Sequence, residues 1–410
     1  MEKIDANELT NYISNRKCES RANSYSALLK RERLSKDLTL EEVASGICSV
    51  SYLSKVENNQ IDAKEDYIRF LFDRLSIDYD HAKDNDYAKL LSDVVECYYY
   101  NDNDKICKIN KKIDYSLFDC DASLISIIYN LVNVNYSDAL KALEEVDSVK
   151  SCLSEYAFLV YVFLLGEYSI KNYEYYDGYK YLKTLDDYNI KDPILKNLIY
   201  ADKIICCFHC KKFFELINTY RRFQLDLEIT IPQERRNQLD LMYKIILGLD
   251  DSSTKSELLS FAMKNIESNA LENTYLALLG LIKFGYYNDV IDIIESSGIF
   301  LRCDIFALYG CAIVKAGLKS KYLGFLQLST KIEVDNTDNQ HYKFIEFLKM
   351  IMEKNDKITM YEYIRYKALS YSKMYPHILY DDVIGKEYVD LLISFSKYKD
   401  STNFLKERFD

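Results

Sequence analysis

Residues 39–58 read TLEEVASGICSVSYLSKVEN and contain two helix starts separated by a short turn. Thr39 followed by Glu42 is a capping-box pattern, in which each side chain accepts a hydrogen bond from the other residue's backbone N–H. This pattern predicts a helix from Leu40 to Ile47. Ser49 then offers an N-cap hydroxyl for a second helix. The stretch therefore predicts a helix, a turn and another helix.

The second helix, over residues 50–58, has two different faces. Val50, Leu53 and Val56 follow at three-residue intervals and predict an inward apolar stripe. The other side carries hydroxyls and an amine, which are donors and acceptors suited to base edges and phosphates. These polar positions are Ser51, Tyr52, Ser54 and Lys55. A generic small helical domain with a solvated polar face is the alternative.

Helices on both sides complete a small domain over residues 24–77. A helix is predicted from Ser26 to Ser35, and another begins near Lys64. The latter has apolar residues at i, i+3, i+4 and i+7 spacing, namely Ile68, Leu71, Phe72 and Leu75. Residues 1–23 form an N-terminal extension, and the polar residues 78–85 form a linker.

Residues 86–410 are predicted to form a long series of helices, because the chain has few of the prolines and glycines that form the turns of other folds. The 410 residues contain only 3 prolines and 11 glycines. Small residues recur at roughly the 34-residue interval of a tetratricopeptide-like unit. They include Gly166, Gly178, Ala201, Gly285, Gly310 and Gly317. The segment after Tyr371 is expected to be an irregular helical cap. The predicted fold is all-α: an N-terminal helix-turn-helix domain followed by a tetratricopeptide-like helical-repeat solenoid.

Charge and cysteine usage exclude several classes of protein. A formal net charge of -11 argues against a chain that coats nucleic acid or anionic membrane over its whole surface. The N-terminus lacks an apolar signal-peptide core, and no stretch of about 18 apolar residues exists to span a membrane. Eleven irregularly spaced cysteines indicate reduced thiols. We therefore expect a cytoplasmic protein without membrane partners.

Catalytic and metal-binding patterns are weak. Only four histidines occur, and no phosphate-binding glycine loop or nucleophile motif is present. Cys206, His209 and Cys210 share one helix face in the segment CCFHC and could supply three metal ligands. A run of small apolar thiols inside a helix is the better interpretation. The sequence therefore predicts no enzyme, no metal and no cofactor.

Residues 26–75 resemble the DNA-binding domain of the phage-repressor-like (XRE) family. The turn GICSVSYLSKVEN, residues 46–58, resembles the variant found in the peptide-pheromone-responsive Rgg/PlcR/PrgX group of Gram-positive bacteria. That group joins such a domain to tetratricopeptide-like repeats. The resemblance implies a transcription regulator that binds double-stranded operator DNA as a homodimer and responds to a short signalling peptide.

The resemblance also implies roles for individual residues. Ser49 matches the cap of the recognition helix, Ser54 a phosphate contact, and Arg33 with Glu57 a structural pair. The DNA-facing positions are Val50, Ser51, Tyr52 and Lys55. Leu40 replaces a glutamine that touches phosphate in many relatives, and Val50 replaces a polar or basic residue, although a valine can contact a thymine methyl.

A basic stretch precedes the recognition helix and suits phosphate contacts. Its positive residues are Arg16, Lys17, Arg21, Lys30, Arg31, Arg33 and Lys36. From it, Lys30 and Arg31 join the predicted DNA-binding set, together with Thr39. A solvated helix face is the alternative interpretation of the stretch.

Asparagines paired with tyrosines on predicted first helices of the repeats are candidates for peptide binding. An asparagine amide can donate to and accept from a peptide main chain at once. The candidates are Asn197, Tyr200, Asn237, Tyr243, Asn273 and Tyr275. Surface or packing roles are the alternative for each residue. For the whole chain, the alternative is an interaction scaffold of repeats with a tethering helix-turn-helix domain.

Overall fold

The computed structural model describes nearly all of the predicted helical regions. It covers residues 24–79, 87–225, 229–249, 252–268, 270–300, 302–332, 340–353, 355–374 and 376–409, with Leu9, Tyr12 and Ala82. Every regular element of these residues is helical, which confirms the all-α class. Most of the predicted extension and linker, with Arg16, Lys17 and Arg21, lies outside the described residues.

Four short helices form the predicted N-terminal arrangement. They are α1 (Ser24–Ser35), α2 (Leu40–Ala44), α3 (Val50–Glu57) and α4 (Glu65–Leu75). Helix α2 ends three residues before the predicted Ile47. Gly46 takes a φ of +72°, and the N–H groups of Ile47 and Cys48 both turn back to the carbonyl of Ala44. This turn separates α2 from α3, so the helix-turn-helix plan is confirmed.

The four helices enclose one apolar core. Leu53 and Val56 of α3 are completely buried, and each contributes on the order of 2 kcal/mol through burial. Val50, expected to share their stripe, is 43% exposed. That expectation is wrong because Val50 begins the helix and the core starts one turn later.

The predicted pair of Arg33 and Glu57 is confirmed and joins α1 to the end of α3. Nε and Nη2 of Arg33 each donate to a different carboxylate oxygen of Glu57, both at 2.8 Å. Nη1 of the same guanidinium donates to the carbonyl of Leu38. Such a two-pronged contact fixes the orientation of one helix against the other.

The chain divides into two compact units. Unit 1 comprises Met1–Cys206 with Phe223–Pro232, and unit 2 comprises Cys207–Arg222 with Gln233–Asp410. The predicted domain boundaries at residues 24–77, 78–85 and 86–410 stay predictions.

After α4, consecutive helices of unit 1 pack against each other in pairs. They are α5 (Ala88–Tyr99), α6 (Asn103–Asn110), α7 (Cys120–Val132), α8 (Tyr136–Ser148), α9 (Glu155–Lys171) and α10 (Tyr175–Lys183). A short 3₁₀ turn, Lys150–Cys152, precedes α9. Helices α11 (Pro193–His209) and α12 (Phe213–Leu225) follow; most of α11 belongs to unit 1 and most of α12 to unit 2. The first helices of neighbouring pairs, α5, α7 and α9, pack side by side.

Unit 2 continues with the same alternation. Its helices are α13 (Gln233–Leu247), α14 (Ser252–Glu267), α15 (Leu271–Lys283), α16 (Tyr287–Ser297), α17 (Cys303–Lys315), α18 (Tyr322–Ser329) and α19 (Gln340–Met352). Helices α13, α15, α17 and α19 pack in succession, and each second helix covers the next first helix. This is the stacking of a helical-repeat solenoid.

The repeat glycines serve two purposes. A Cβ at Gly166 would lie 2.7 Å from a side-chain carbon of Leu182, and one at Gly310 would lie 2.5 Å from Phe325. These glycines therefore permit close helix packing, as predicted. Gly285 differs, because nothing lies within 4 Å of its Cβ position and its φ is +86°. It forms a turn rather than a close contact.

The C-terminal segment is more regular than the expected irregular cap. Helices α20 (Lys357–Tyr363) and α21 (Leu369–Met374) are joined by a π-helical turn, Ile364–Ala368. Two further helices, α22 (Tyr380–Ser394) and α23 (Tyr398–Phe409), pack on each other as one more pair. Apolar residues of α22, such as Ile384 and Leu392, supply a buried face like those of the preceding first helices, and the role of the segment as a cap stays a prediction.

Candidate functional site

The exposed face of α3 is the candidate nucleic-acid interface. Ser49, Val50, Ser51 and Lys55 are exposed, while Leu53 and Val56 are fixed in the core. Ser54 is partly buried. The polar atoms therefore form a narrow ridge on a rigidly packed helix, which is the geometry needed to read a groove.

Both predicted helix caps are present. The hydroxyl of Ser49 accepts a hydrogen bond from the N–H of Tyr52 at 3.1 Å. Thr39 accepts from the N–H of Glu42, whose carboxylate accepts from the N–H of Thr39. Hydrogen bonds from the Thr39 backbone and hydroxyl lower the pKa of Glu42. These contacts fix where α2 and α3 begin.

Tyr52 takes part in packing as well as in the candidate face. Its hydroxyl accepts a hydrogen bond from the N–H of Lys64 at 3.1 Å. Its ring lies 5.4 Å from that of Tyr67 on α4. The side chain therefore helps to hold the start of α4 against α3.

Lys30 and Arg31 contact the repeat helices of unit 1. The ammonium of Lys30 donates to Oγ of Ser151 at 2.8 Å, and Ser151 donates to Oδ1 of Asn58 at 3.1 Å. The guanidinium of Arg31 lies 5.3 Å from the ring centre of Phe118. These two predicted DNA-binding residues thus lie where the four-helix core meets the repeats.

In unit 1, Asn197 is a buried amide. It is 1% exposed, and neither Oδ1 nor Nδ2 has a hydrogen-bond partner among the described residues. Tyr200, one turn further along α11, is partly buried and its ring lies 5.8 Å from the ammonium of Lys196. A buried polar group without partners requires an explanation, such as a ligand or an ordered water.

In unit 2, the remaining peptide-binding candidates fall in different surroundings. Asn237 lines a hollow of about 630 Å³ between α13 and α14. Tyr243 stacks on Tyr220 with ring centres 4.2 Å apart, and Asn273 donates to Asn265 at 3.1 Å. Tyr275 is 7% exposed. These four residues do not form one contiguous surface, and their binding roles stay predictions.

Tyr275 belongs to a buried cluster with His209, His341 and His377 that sequence reasoning did not identify. The hydroxyl of Tyr275 lies 2.6 Å from Nε2 of His377. The hydroxyl of Tyr380 lies 2.6 Å from Nδ1 of His341. No local motif could indicate this cluster, because its histidines come from distant parts of the chain.

Burial keeps the clustered histidines neutral. It lowers the pKa of His209 to about 3 and that of His341 to about 4. Burial, with the nearby histidines, also lowers the pKa of His377 well below its usual value. Nδ1 of His377 accepts hydrogen bonds from two backbone N–H groups, those of Leu379 and Tyr380. His377 therefore carries its proton on Nε2.

Several cysteine thiols are buried. Cys206 and Cys207 of α11, and Cys210 directly after this helix, have exposures of 8% or less. Burial raises the pKa of Cys152 to about 11. Within the described ranges, no group of three or more His, Cys, Asp or Glu side chains is arranged to hold a metal ion. None of the described helices has the length and apolar character needed to cross a membrane.

Comparisons with known proteins give limited similarity. No protein-family model matches the chain, and no curated protein matches it significantly. One matching structure is the crystal structure of the Streptococcus dysgalactiae SHP pheromone receptor Rgg2. It shares 16% identity, and the alignment covers 67% of this chain and 98% of that chain with a TM-score of 0.26. Such a score does not establish a shared topology.

Proposed function

We propose that this chain is a cytoplasmic transcription regulator controlled by a short signalling peptide. It binds double-stranded operator DNA as a homodimer. The observation that carries the proposal is the exposed, polar N-terminal half of α3, with Ser49, Val50, Ser51 and Lys55 opposite the buried Leu53 and Val56. In helix-turn-helix proteins the second helix of the pair enters the major groove, and α3 takes that position in this proposal.

Each exposed group has a defined task in this proposal. The hydroxyl of Ser51 donates to or accepts from a base edge, and the methyl groups of Val50 contact a thymine methyl. The ammonium of Lys55 neutralises a phosphate. Two copies of the chain place their recognition helices in half-sites about 34 Å apart, one turn of DNA.

Peptide binding is supported by the unpaired amide of Asn197. Leaving both of its polar atoms buried without partners costs about 1–3 kcal/mol per group. A peptide main chain supplies an N–H and a carbonyl together, and in this proposal it removes that cost once the packing around the buried Asn197 opens to admit it. Peptide binding then regulates DNA binding if it alters the separation of the two recognition helices.

The DNA-binding part is tested by measuring affinity for DNA from the region upstream of the gene. We expect Lys55→Ala and Ser51→Ala each to weaken binding about tenfold, since a base or phosphate contact is worth roughly 1–3 kcal/mol. Lys89→Ala is the control, because Lys89 is an exposed lysine on α5. Unchanged affinity in both α3 variants would refute this interface and favour the scaffold function. Tyr52 is unsuitable for this test because its hydroxyl also supports α4.

The peptide-binding part of the proposal is tested with synthetic peptides whose sequences come from short open reading frames beside the gene that encode exported products. We expect one of them to shift DNA affinity in the wild type and to lose its effect in Asn197→Leu. The substitution removes the unpaired amide, so stability should be retained or increased. An Asn197→Leu protein that responds like the wild type would contradict the assignment of Asn197.

A further inference from the structure

The 3₁₀ turn Lys150–Cys152 holds the C-terminal end of α3 through two side chains. Oγ of Ser151 donates to Oδ1 of Asn58, the residue that caps α3, at 3.1 Å. The thiol of Cys152 donates to the carbonyl of Glu57, the last residue of α3, at 2.9 Å. The last carbonyls of a helix have no partner within that helix. The turn therefore supplies a partner from another part of unit 1.

Lys30 of α1 extends this set of contacts. Its ammonium donates to Oγ of Ser151 at 2.8 Å, so the Ser151 hydroxyl accepts from α1 and donates to the residue that caps α3. Helix α1 also packs directly against the turn. A continuous series of hydrogen bonds therefore runs from Lys30 through Ser151 to Asn58.

These contacts are shielded from solvent. Cys152 is 4% exposed and Glu57 is 2% exposed. Lys30, Asn58 and Ser151 are partly buried. Hydrogen bonds are stronger in such surroundings than in water, and a buried group that loses its partner is destabilising. The contacts therefore restrict how the end of α3 can move against the turn.

The contacts also lie at the end of α3 opposite its proposed base-reading residues. Ser51 and Asn58 are separated by about 10 Å along the helix axis, since an α-helix rises by about 1.5 Å per residue. Arg31, the neighbour of Lys30 in the predicted DNA-binding set, also contacts the repeats. Its Nη2 lies 3.9 Å from a carboxylate oxygen of Glu145 on α8. Both basic residues are thus engaged by the repeats.

We infer that Lys30 is a positioning residue for α3 and not a phosphate contact. Together with Ser151 and Cys152, it fixes the C-terminal end of α3 to the first repeats. A displacement of the turn then displaces α3, so the repeats regulate the reading face without touching DNA. This regulatory part of the inference rests on the proposed function.

The first test needs no DNA. Hydrogen exchange of the full chain is followed in segments that cover residues 50–60 and 65–75. We expect Lys30→Met and Ser151→Ala each to increase exchange in residues 50–60 about threefold, as the loss of one hydrogen bond implies. The double variant should do no more than either single variant, because both changes break the same series of bonds. Exchange in residues 65–75 should stay at the wild-type rate.

Two further variants exclude a general loss of stability as the cause. Ser151→Thr keeps the hydroxyl and should keep wild-type exchange in residues 50–60. Lys141→Met removes an exposed lysine of α8 that pairs with Asp138 of the same helix, and it should have no effect there. Wild-type exchange in both Lys30→Met and Ser151→Ala would overturn the inference, whether or not the chain binds DNA. Additive effects in the double variant would overturn it as well.

The second test uses the salt dependence of DNA binding to separate positioning from phosphate contact. Loss of one phosphate contact reduces the slope of log affinity against log salt concentration by about 0.9. We expect this reduction in Lys55→Ala, whereas Lys30→Met should weaken binding about threefold and keep the wild-type slope. An equal reduction of the slope in both variants would contradict the inference. If the wild type binds no DNA, the proposed function fails, and the exchange rates alone decide whether Lys30 holds α3.

Discussion

Glu57 is 2% exposed, and both of its carboxylate oxygens accept hydrogen bonds from Arg33. Removing one partner of a buried pair leaves the other charge buried and uncompensated. We therefore expect Glu57→Ala to lower the free energy of unfolding by about 3–5 kcal/mol, measured by urea denaturation.

Glu65 provides a matched control for this prediction. It pairs with Arg69 on the surface of α4, where the side chains are 57% and 47% exposed. Glu65→Ala should lower the free energy of unfolding by less than about 0.5 kcal/mol, because exposed ion pairs contribute little to stability. A similar loss of unfolding free energy in both variants would show that burial does not determine how much the Arg33–Glu57 pair contributes to stability.

The buried histidines make stability dependent on pH. In the folded chain the pKa of His209 is about 3 and that of His341 about 4, against an ordinary value near 6.5. Below pH 6.5 the unfolded chain takes up protons that the folded chain excludes. Stability is therefore complete above this pH and decreases as the pH falls towards the folded values.

The size of this effect follows from the same linkage. Between pH 7 and pH 5, each excluded proton lowers the free energy of unfolding by about 2 kcal/mol. The free energy of unfolding, measured by urea denaturation at several pH values, should fall more steeply with decreasing pH in the wild type than in His341→Gln. A slope unchanged by this substitution would mean that His341 is protonated in the folded chain.

At the scale of elements, alanine substitutions at two helical glycines can separate the effect of helix packing from that of helix propensity. Gly310 and Gly324 are both helical, but a Cβ at Gly310 would lie 2.5 Å from Phe325, whereas a Cβ at Gly324 would meet nothing within 4 Å beyond its chain neighbours and its own helix backbone. We expect Gly310→Ala to lower the free energy of unfolding by about 1–3 kcal/mol through overpacking. Gly324→Ala should raise it by up to about 1 kcal/mol, since alanine favours a helix.

Thermal unfolding of the two variants provides the measurement. Opposite shifts in Tm are the expected result. A loss of stability in both would indicate that α18 requires glycine for a reason other than space around the side chain.

At the scale of the whole molecule, the four N-terminal helices share a core with the first repeats of unit 1. Phe118, Val149 and Cys152 belong to the same buried apolar cluster as Leu53 and Val56. The thiol of Cys152 also donates to the carbonyl of Glu57 at 2.9 Å. Stability should therefore be shared between α3 and these repeats.

Hydrogen exchange tests this sharing. Val149→Asp buries a charge beyond α8 and should increase exchange over residues 24–79 as well as over the neighbouring repeats. Val134→Asp is the control, because Val134 is 66% exposed. If residues 24–77 are an independent domain, as their predicted boundaries imply, Val149→Asp would leave their exchange unchanged.

Local sequence was sufficient for the N-terminal helices and for the alternation of repeats. Caps such as Thr39 and Ser49 act within one helical turn, and apolar periodicity reports which face is buried. The α3 face could therefore be predicted from adjacent residues. The sequence places Val50 both on the apolar stripe and among the DNA-facing positions, because periodicity cannot say where along a helix the core begins; its exposure places it outside the core.

Only the tertiary structure decided which distant side chains meet. Lys30 could be placed on a basic stretch from sequence, but its contact with Ser151 depends on how α1 packs against the repeats. The histidine cluster likewise joins residues from distant parts of the chain. The physical reason is the distance along the chain over which each interaction acts. Capping and helix periodicity act over a few residues, whereas burial and buried hydrogen bonding are properties of the packed chain.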